Sequence, residues 1–264
     1  MNSLSITLQE KSLDALIENA GFRFSERFFI YTSGKIGNYY VNSEVVTKNA
    51  DAYADSINNL SVLISLIAGD NSHDIISGGE SRDWIFSYPT AFHLRKQHVS
   101  LYKDEKIVGA EMRGMRIIHV SDLNNEGSSP MNYWIPMIRN AGGQIKDIFF
   151  FVDRLEEGIE VMKNLNLEAH ALVPLNEHAW NYLLTNNVIN EEIYRSLRVR
   201  IENKEEWARK MLKSEAGIKQ FILYLRDEKM RAKAKKVLEV GYPNLKEEIL
   251  ERLKQIEWDI WEKL

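Results

Sequence analysis

The chain has 264 residues, with 34 Lys and Arg against 38 Asp and Glu, a formal net charge of −4, 44% apolar residues and no Cys. That composition excludes a disordered or collagen-like chain, and the missing Cys excludes disulfides, thiolate metal sites and a cysteine nucleophile. Residues 1–10 have neither a basic n-region nor an apolar h-region, and the most apolar window, 60–68, is about half of the roughly 20 residues that a membrane span needs. A cytoplasmic protein without a membrane partner is the expectation.

In chain order, residues 8–20 have helical periodicity and stop at Gly21. Residues 22–31 and 38–46 read as strands joined by the turn Ser33-Gly34-Lys35-Ile36-Gly37. A helix over 50–68 closes at Gly69. Short strands follow at 74–77, 98–102, 116–120, 145–152 and 169–173, separated by helical stretches near 82–96, 131–141, 156–165 and 178–186. Strands alternating with helices of this length imply βαβ units, hence an α/β fold with a mainly parallel sheet.

Near residue 190 the pattern changes. Residues 1–190 hold 16 basic and 23 acidic side chains, a net of −7; residues 191–264 hold 18 and 15, a net of +3. The β-branched runs stop, and an all-helical extension over 191–264 is expected beside an α/β domain over 1–190. Asn203 with Glu206, and Asn244 with Glu247, have the spacing of a helix N-cap and its reciprocal carboxylate. Leu245, Ile249, Leu253, Ile256 and Ile260 form one apolar stripe, expected to dock on the body or on a second subunit. Trp207, Trp258 and Trp261 are expected to pack against apolar partners. The basic run 226–236 is diluted by Asp227 and Glu228 and reads as a solvated helix face rather than a nucleic-acid surface.

In an open parallel sheet, ligands bind at the carboxyl ends of the strands. Four loops stand there: Ser77-Gly78-Gly79-Glu80-Ser81-Arg82, the charged stretch 103–113, Ser121-Asp122 with the small polar run to Ser129, and Asp153-Arg154. A carboxylate at a strand end can hold ribose hydroxyls, and N–H groups at the next helix start can cradle a phosphate. The same loop is also an ordinary strand-to-helix turn, with Ser129 as N-cap and Pro130 at the first helical position. The six histidines lack metal spacing, and His119, inside a strand, is expected to be packed and hydrogen-bonded.

Phe29-Ile30-Tyr31-Thr32-Ser33-Gly34-Lys35 followed by Asn38-Tyr39-Tyr40-Val41-Asn42 resembles the N-terminal hairpin of orotate phosphoribosyltransferases. The acid-ended strand before Ser121-Asp122 stands where the type I phosphoribosyltransferase family has its phosphoribosyl pyrophosphate motif. Asp153-Arg154 with Gly158 resembles the family's Asp-Arg pair, and Lys103 and Lys106 match the lysines of its mobile catalytic loop. The resemblance spans roughly residues 8–185. It implies a phosphoribosyltransferase-like parallel sheet flanked by helices, with a hairpin hood, to which the helical extension is added, and a homodimer. It assigns Lys103, Lys106 and Asp122 to catalysis, Asp122 also to Mg²⁺, and Arg82 to pyrophosphate. Gly127, Ser128 and Ser129 fall to the phosphate, and Arg154, Tyr39 and Tyr40 to the orotate side.

The departures point elsewhere. The family motif has two consecutive acids, and here Ser121 replaces the first. Glu126 stands in the phosphate cradle, Glu80 beside Arg82, and Thr32 where the family has a lysine; the catalytic loop is shortened, with its His position near Val108. Thr32 and Val108 remove positive charge, and Glu80 and Glu126 add negative charge, at a site for a polyanion where stabilisation is mainly electrostatic, while Ser121 breaks the acid pair of the motif. The sequence therefore favours a protein that binds a nucleotide, base or related ligand without normal transferase turnover. An active, Mg²⁺-dependent orotate phosphoribosyltransferase and a scaffold acting through the helical tail are the alternatives.

Overall fold

The computed structural model describes residues 3–256. In order it contains α1 (Ser3–Glu18), β1 (Phe22–Ile30), β2 (Ile36–Val41), a 3-10 segment Ser43–Lys48, α2 (Ala50–Ile67), β3 (Ile75–Gly79) and α3 (Asp83–His93). There follow β4 (Gln97–Leu101), β5 (Ile107–Gly109), β6 (Arg116–Asn124), a π turn Pro130–Trp134, α4 (Ile135–Asn140), β7 (Gln144–Asp153), α5 (Gly158–Asn164), β8 (Glu168–Pro174) and α6 (Glu177–Thr185). The C-terminal part holds α7 (Glu191–Glu202), α8 (Lys204–Lys213), α9 (Glu215–Arg226), α10 (Glu228–Lys236), a π turn Val237–Gly241, a 3-10 turn Pro243–Leu245 and α11 (Lys246–Ile256).

Two compact units result, one of residues 1–21 and 42–182, the other of 22–41 and 183–264. The hairpin β1–β2 thus groups with the C-terminal helices. A division by chain order at residue 190 does not describe these contacts, because the hairpin's apolar side chains find their partners far along the sequence.

The first unit is a six-stranded sheet in the order β5-β4-β3-β6-β7-β8, parallel except for β5, which pairs antiparallel with β4. From β3 the chain steps outward to β4 and β5, then returns to the other side of β3 as β6. The strand order therefore reverses between β3 and β6, the place where open α/β sheets leave a crevice. β7 shows why the sheet is covered on both faces: Ile148 to Val152 is one uninterrupted apolar run, buried throughout. Phe150 joins a cluster with Trp134, Ile135 and Ile138, whereas Phe151 stacks on Phe86 of α3 at 4.5 Å. The period-2 alternation thus sends neighbouring rings to opposite layers, each worth roughly 1.5–3 kcal/mol of burial.

Three sequence expectations shift. Residues 43–48 are a 3-10 turn, not strand, because the Asn42 side chain accepts from Glu44 N–H and ends β2. β5 is unforeseen, being only three residues long and exposed. β6 runs to Asn124, so Ser121 and Asp122 lie inside the strand rather than after it.

In the second unit Phe28, Ile30 and Ile36 of the hairpin pack in one cluster with Trp207, Leu212, Phe221, Ile222, Leu238, Leu245, Ile249 and Leu253. The stripe that begins at Leu245 is thus a core face, and Trp207 is a core residue; Trp258, Ile260 and Trp261 lie outside the described residues. Asn203 caps α8 as its spacing predicts, accepting from Glu206 N–H at 2.9 Å. Asn244 instead sits inside the 3-10 turn that leads into α11. No helix among the described residues is long and apolar enough to cross a membrane.

Candidate ligand-binding site

A cavity of about 460 Å³ opens at the carboxyl ends of β3 and β6, lined by residues 80–83, Lys103, Ser121 to Leu123, Asn125 to Pro130 and Trp134. It lies at the strand-order reversal. Of the residues singled out from sequence, Arg82, Lys103, Asp122, Gly127, Ser128 and Ser129 all line it.

Asp122 sits at the floor, 8% exposed, and its Oδ2 accepts from Ser43 Oγ at 3.0 Å. Burial, then the charge of Asp83, pushes its carboxyl well above the usual range. Asp83, the first residue of α3, is 5% exposed and went unnoticed in the sequence. Its Oδ1 accepts from Ser121 Oγ at 2.7 Å and from Asp122 N–H at 2.9 Å, and its Oδ2 accepts from Gly79 N–H at 3.1 Å. His119 Nε2 stands 3.5 Å from Oδ2 while its Nδ1 meets Ser77 Oγ at 3.0 Å, which is the packed histidine expected. An acid three residues after the Glu80 position, at a helix start, looks in sequence like a routine first-turn residue.

The cationic side is thin. Arg82 Nε is ion-paired with Glu44 at 2.5 Å. Lys103 is exposed, and its N–H donates to Glu80 Oε2 at 3.0 Å, so Glu80 caps the neighbouring turn. Lys106 is not among the lining residues: β4 and β5 close through a tight turn, with Tyr102 N–H bonded to Lys106 O, and Lys106 Nζ lies 5.2 Å from the Tyr102 ring centroid. Val108 pairs with Ser100 in β5. The long charged loop expected over 103–113 is thereby mostly a hairpin.

At the loop before the next helix, Gly127 has φ +66°, a conformation that favours glycine, and accepts from Met131 N–H. Ser129 is already helical and its hydroxyl makes no cap, contrary to expectation, so the free N–H groups of the first turn begin at Ser128. Glu126 is exposed as it lines the cavity, and Asn125 Oδ1 is buried without a hydrogen-bond partner.

The residues that the resemblance assigns to orotate are placed differently. Arg154 is buried, ion-paired with Glu156 at 3.0 Å, and is not among the lining residues. Beside it, burial raises the Asp153 carboxyl, which accepts from Asn124 Nδ2 and Leu155 N–H. Tyr39 and Tyr40 belong to the other unit. There Tyr39 is buried beneath the Arg200 guanidinium, 5.5 Å from its ring centroid, so its ring is core rather than ligand surface; Tyr40 stacks on Arg23 at 4.9 Å.

For a metal ion, the cavity lining offers oxygen donors, above all the Asp122 carboxylate with the Ser43 hydroxyl 3.0 Å behind it, which suit a hard cation. Among the described residues, the group whose three donor atoms lie close together is Asp147, Glu168 and His170, at the amino ends of β7 and β8. Each is already satisfied, His170 by Asp147 and Glu168 by Lys146.

No protein-family model matches the chain. In sequence it is similar to the orotate phosphoribosyltransferase of Staphylothermus marinus, 29% identical over 204 residues, which covers 74% of this chain and 94% of that protein. In structure it is similar to the UMP synthase of Leishmania donovani, with a TM-score of 0.64 and 18% identity over 72% of this chain and 41% of that one. The orotate phosphoribosyltransferase of Francisella tularensis superimposes with a TM-score of 0.59 and 16% identity, over 72% of this chain and 96% of its own.

Proposed function

From a chain that has the type I phosphoribosyltransferase fold and resembles orotate phosphoribosyltransferases in sequence, we propose that this protein binds a phosphoribosyl ligand, a nucleotide or phosphoribosyl pyrophosphate, without ordinary transferase turnover. One observation carries this reading. The cavity has two cationic side chains, Arg82 and Lys103, against four acids, Glu80, Asp83, Asp122 and Glu126, and Arg82 is already held by Glu44. Expelling pyrophosphate places several negative charges on the leaving group, and their stabilisation is the largest catalytic demand. Gly127, Ser128, Ser129 and the Asp122 floor are present, while on the leaving-group side the two cations are outnumbered by acids. Asp122 with Ser43 would hold a magnesium ion, which when bound supplies charge neutralisation beside the pyrophosphate.

Mixing the protein with orotate, phosphoribosyl pyrophosphate and Mg²⁺ and following orotate absorbance should show turnover far below one per second. Rates in the ordinary range of about 1–10³ per second would sink the proposal. In a thermal-shift assay, orotidine 5′-monophosphate or phosphoribosyl pyrophosphate at a hundred times its Kd should stabilise the chain by roughly 2.7 kcal/mol. Silence from both ligands at millimolar concentration is equally fatal.

The Glu44–Arg82 pair gives a second test. Glu44→Gln removes an anion and releases the guanidinium, so inorganic pyrophosphate should bind roughly three- to tenfold more tightly by calorimetry, the scale of one partly exposed charge contact. An unchanged or weaker affinity would show that Glu44 does not hold Arg82 back.

A further inference from the structure

We infer that Asp83 is a positioning residue that takes over, from helix α3, the place of the acid that β6 lacks at Ser121, tying the two ligand loops together with one carboxylate. The inference rests on the proposed binding of a phosphoribosyl ligand and says how its floor is set. The loop after β3 and the loop after β6 carry opposite ends of the cavity, and no secondary-structure ladder joins them there: the β3–β6 pairing ends at Ser77 and His119. Beyond that point Gly79 N–H, Ser121 Oγ and Asp122 N–H all converge on Asp83, at 3.1, 2.7 and 2.9 Å. The strands diverge and a side chain replaces the ladder.

Ser121 and Asp83 are a matched pair. A carboxylate at 121 would stand at hydrogen-bond distance from that of Asp83 in a buried place, where two anions repel strongly. A hydroxyl at 121 instead donates to Asp83. The substitution in the motif therefore relocates an acid rather than deleting one. Asp83 has little capacity left for a ligand, since three donors and His119 already surround its two oxygens. Its effect passes through Asp122, whose backbone it fixes while Ser43 holds the side chain. Asp122 is the group placed to meet ribose hydroxyls.

The test is a reciprocal exchange. Asp83→Asn keeps the shape, but its amide cannot accept from Gly79 N–H while also serving Ser121 and Asp122. Ser121→Asp alone sets two carboxylates side by side. The double variant restores one acid and lets the amide introduced at position 83 donate to it, while its oxygen accepts from one of the two backbone N–H groups. Calorimetric titration with orotidine 5′-monophosphate should show each single change weakening binding tenfold or more and the double variant recovering part of that loss. Denaturation midpoints measured in parallel separate this from stability, because a merely structural role predicts that affinity follows the midpoint. An Asp83→Asn chain that binds as tightly as the native one, or a double variant no better than the worse single, overturns the inference. If the native chain binds no phosphoribosyl ligand, the functional reading fails by itself. The tie is then judged by amide NMR shifts: the amide at position 83 has one accepting oxygen, so Gly79 or Asp122 must move in Asp83→Asn, and a variant in which neither moves refutes it.

Discussion

Gly79→Ala is expected to cost about 3 kcal/mol, at the upper end for an overpacked core, and to close the cavity floor. A Cβ at Gly79 would lie 2.1 Å from Trp134 Cε2 and 2.4 Å from its Nε1. Trp134 is 1% exposed, wedged among Met137, Ile138 and Phe150, and has nowhere to retreat. The backbone of Gly79 would shift instead, and with it the N–H that reaches Asp83. Gly69→Ala makes the contrast. Nothing lies within 4 Å of a Cβ there, but φ is +81°, so only the conformational penalty of about 1 kcal/mol applies. Urea midpoints measure both. A Gly79→Ala chain as stable as Gly69→Ala would mean that the indole does not press on this strand end.

Removing residues 191–264 should leave an aggregating or severely destabilised remainder. Phe28, Ile30 and Ile36 of the hairpin are buried only in the cluster that α8, α9 and α11 complete. Stripping that cover exposes three large apolar side chains, at roughly 1.5–3 kcal/mol each, against a total stability of about 5–15 kcal/mol for an ordinary domain. A two-stranded hairpin has little stability of its own. The milder Phe221→Ala, at the centre of the cluster, should cost roughly 3–5 kcal/mol and tests the same core in the full chain. Light scattering and a urea midpoint read the outcome; a truncated chain that stays monomeric and as stable as the full one contradicts it.

Long-period features were legible in the sequence. The helix over 50–68, the uninterrupted apolar run of β7 and the Asn203 cap each follow from local chemistry within a few residues, and the structure places them within a residue or two. The motif loops were legible too, because small polar residues after an apolar strand have few other uses. Six of the ten residues singled out for the site line one cavity. Lys106, Arg154, Tyr39 and Tyr40 do not: a hairpin turn places Lys106, an ion pair with Glu156 two residues on holds Arg154, the other unit's core takes Tyr39, and Tyr40 stacks with Arg23.

The −4 charge and its division near residue 190 are properties of the sequence, as are the α/β alternation, the helical extension and the acids at 80, 122 and 126. Periodicity and charge are additive along a chain, so they can be read there. Tertiary structure alone decided that the hairpin shares a core with helices some 200 residues later, that Glu44 holds Arg82, and that Asp83 supplies the acid missing at Ser121. Each depends on side chains distant in sequence that meet in space. Electrostatic and packing energies fall steeply with separation, and the separation exists only once the chain has folded.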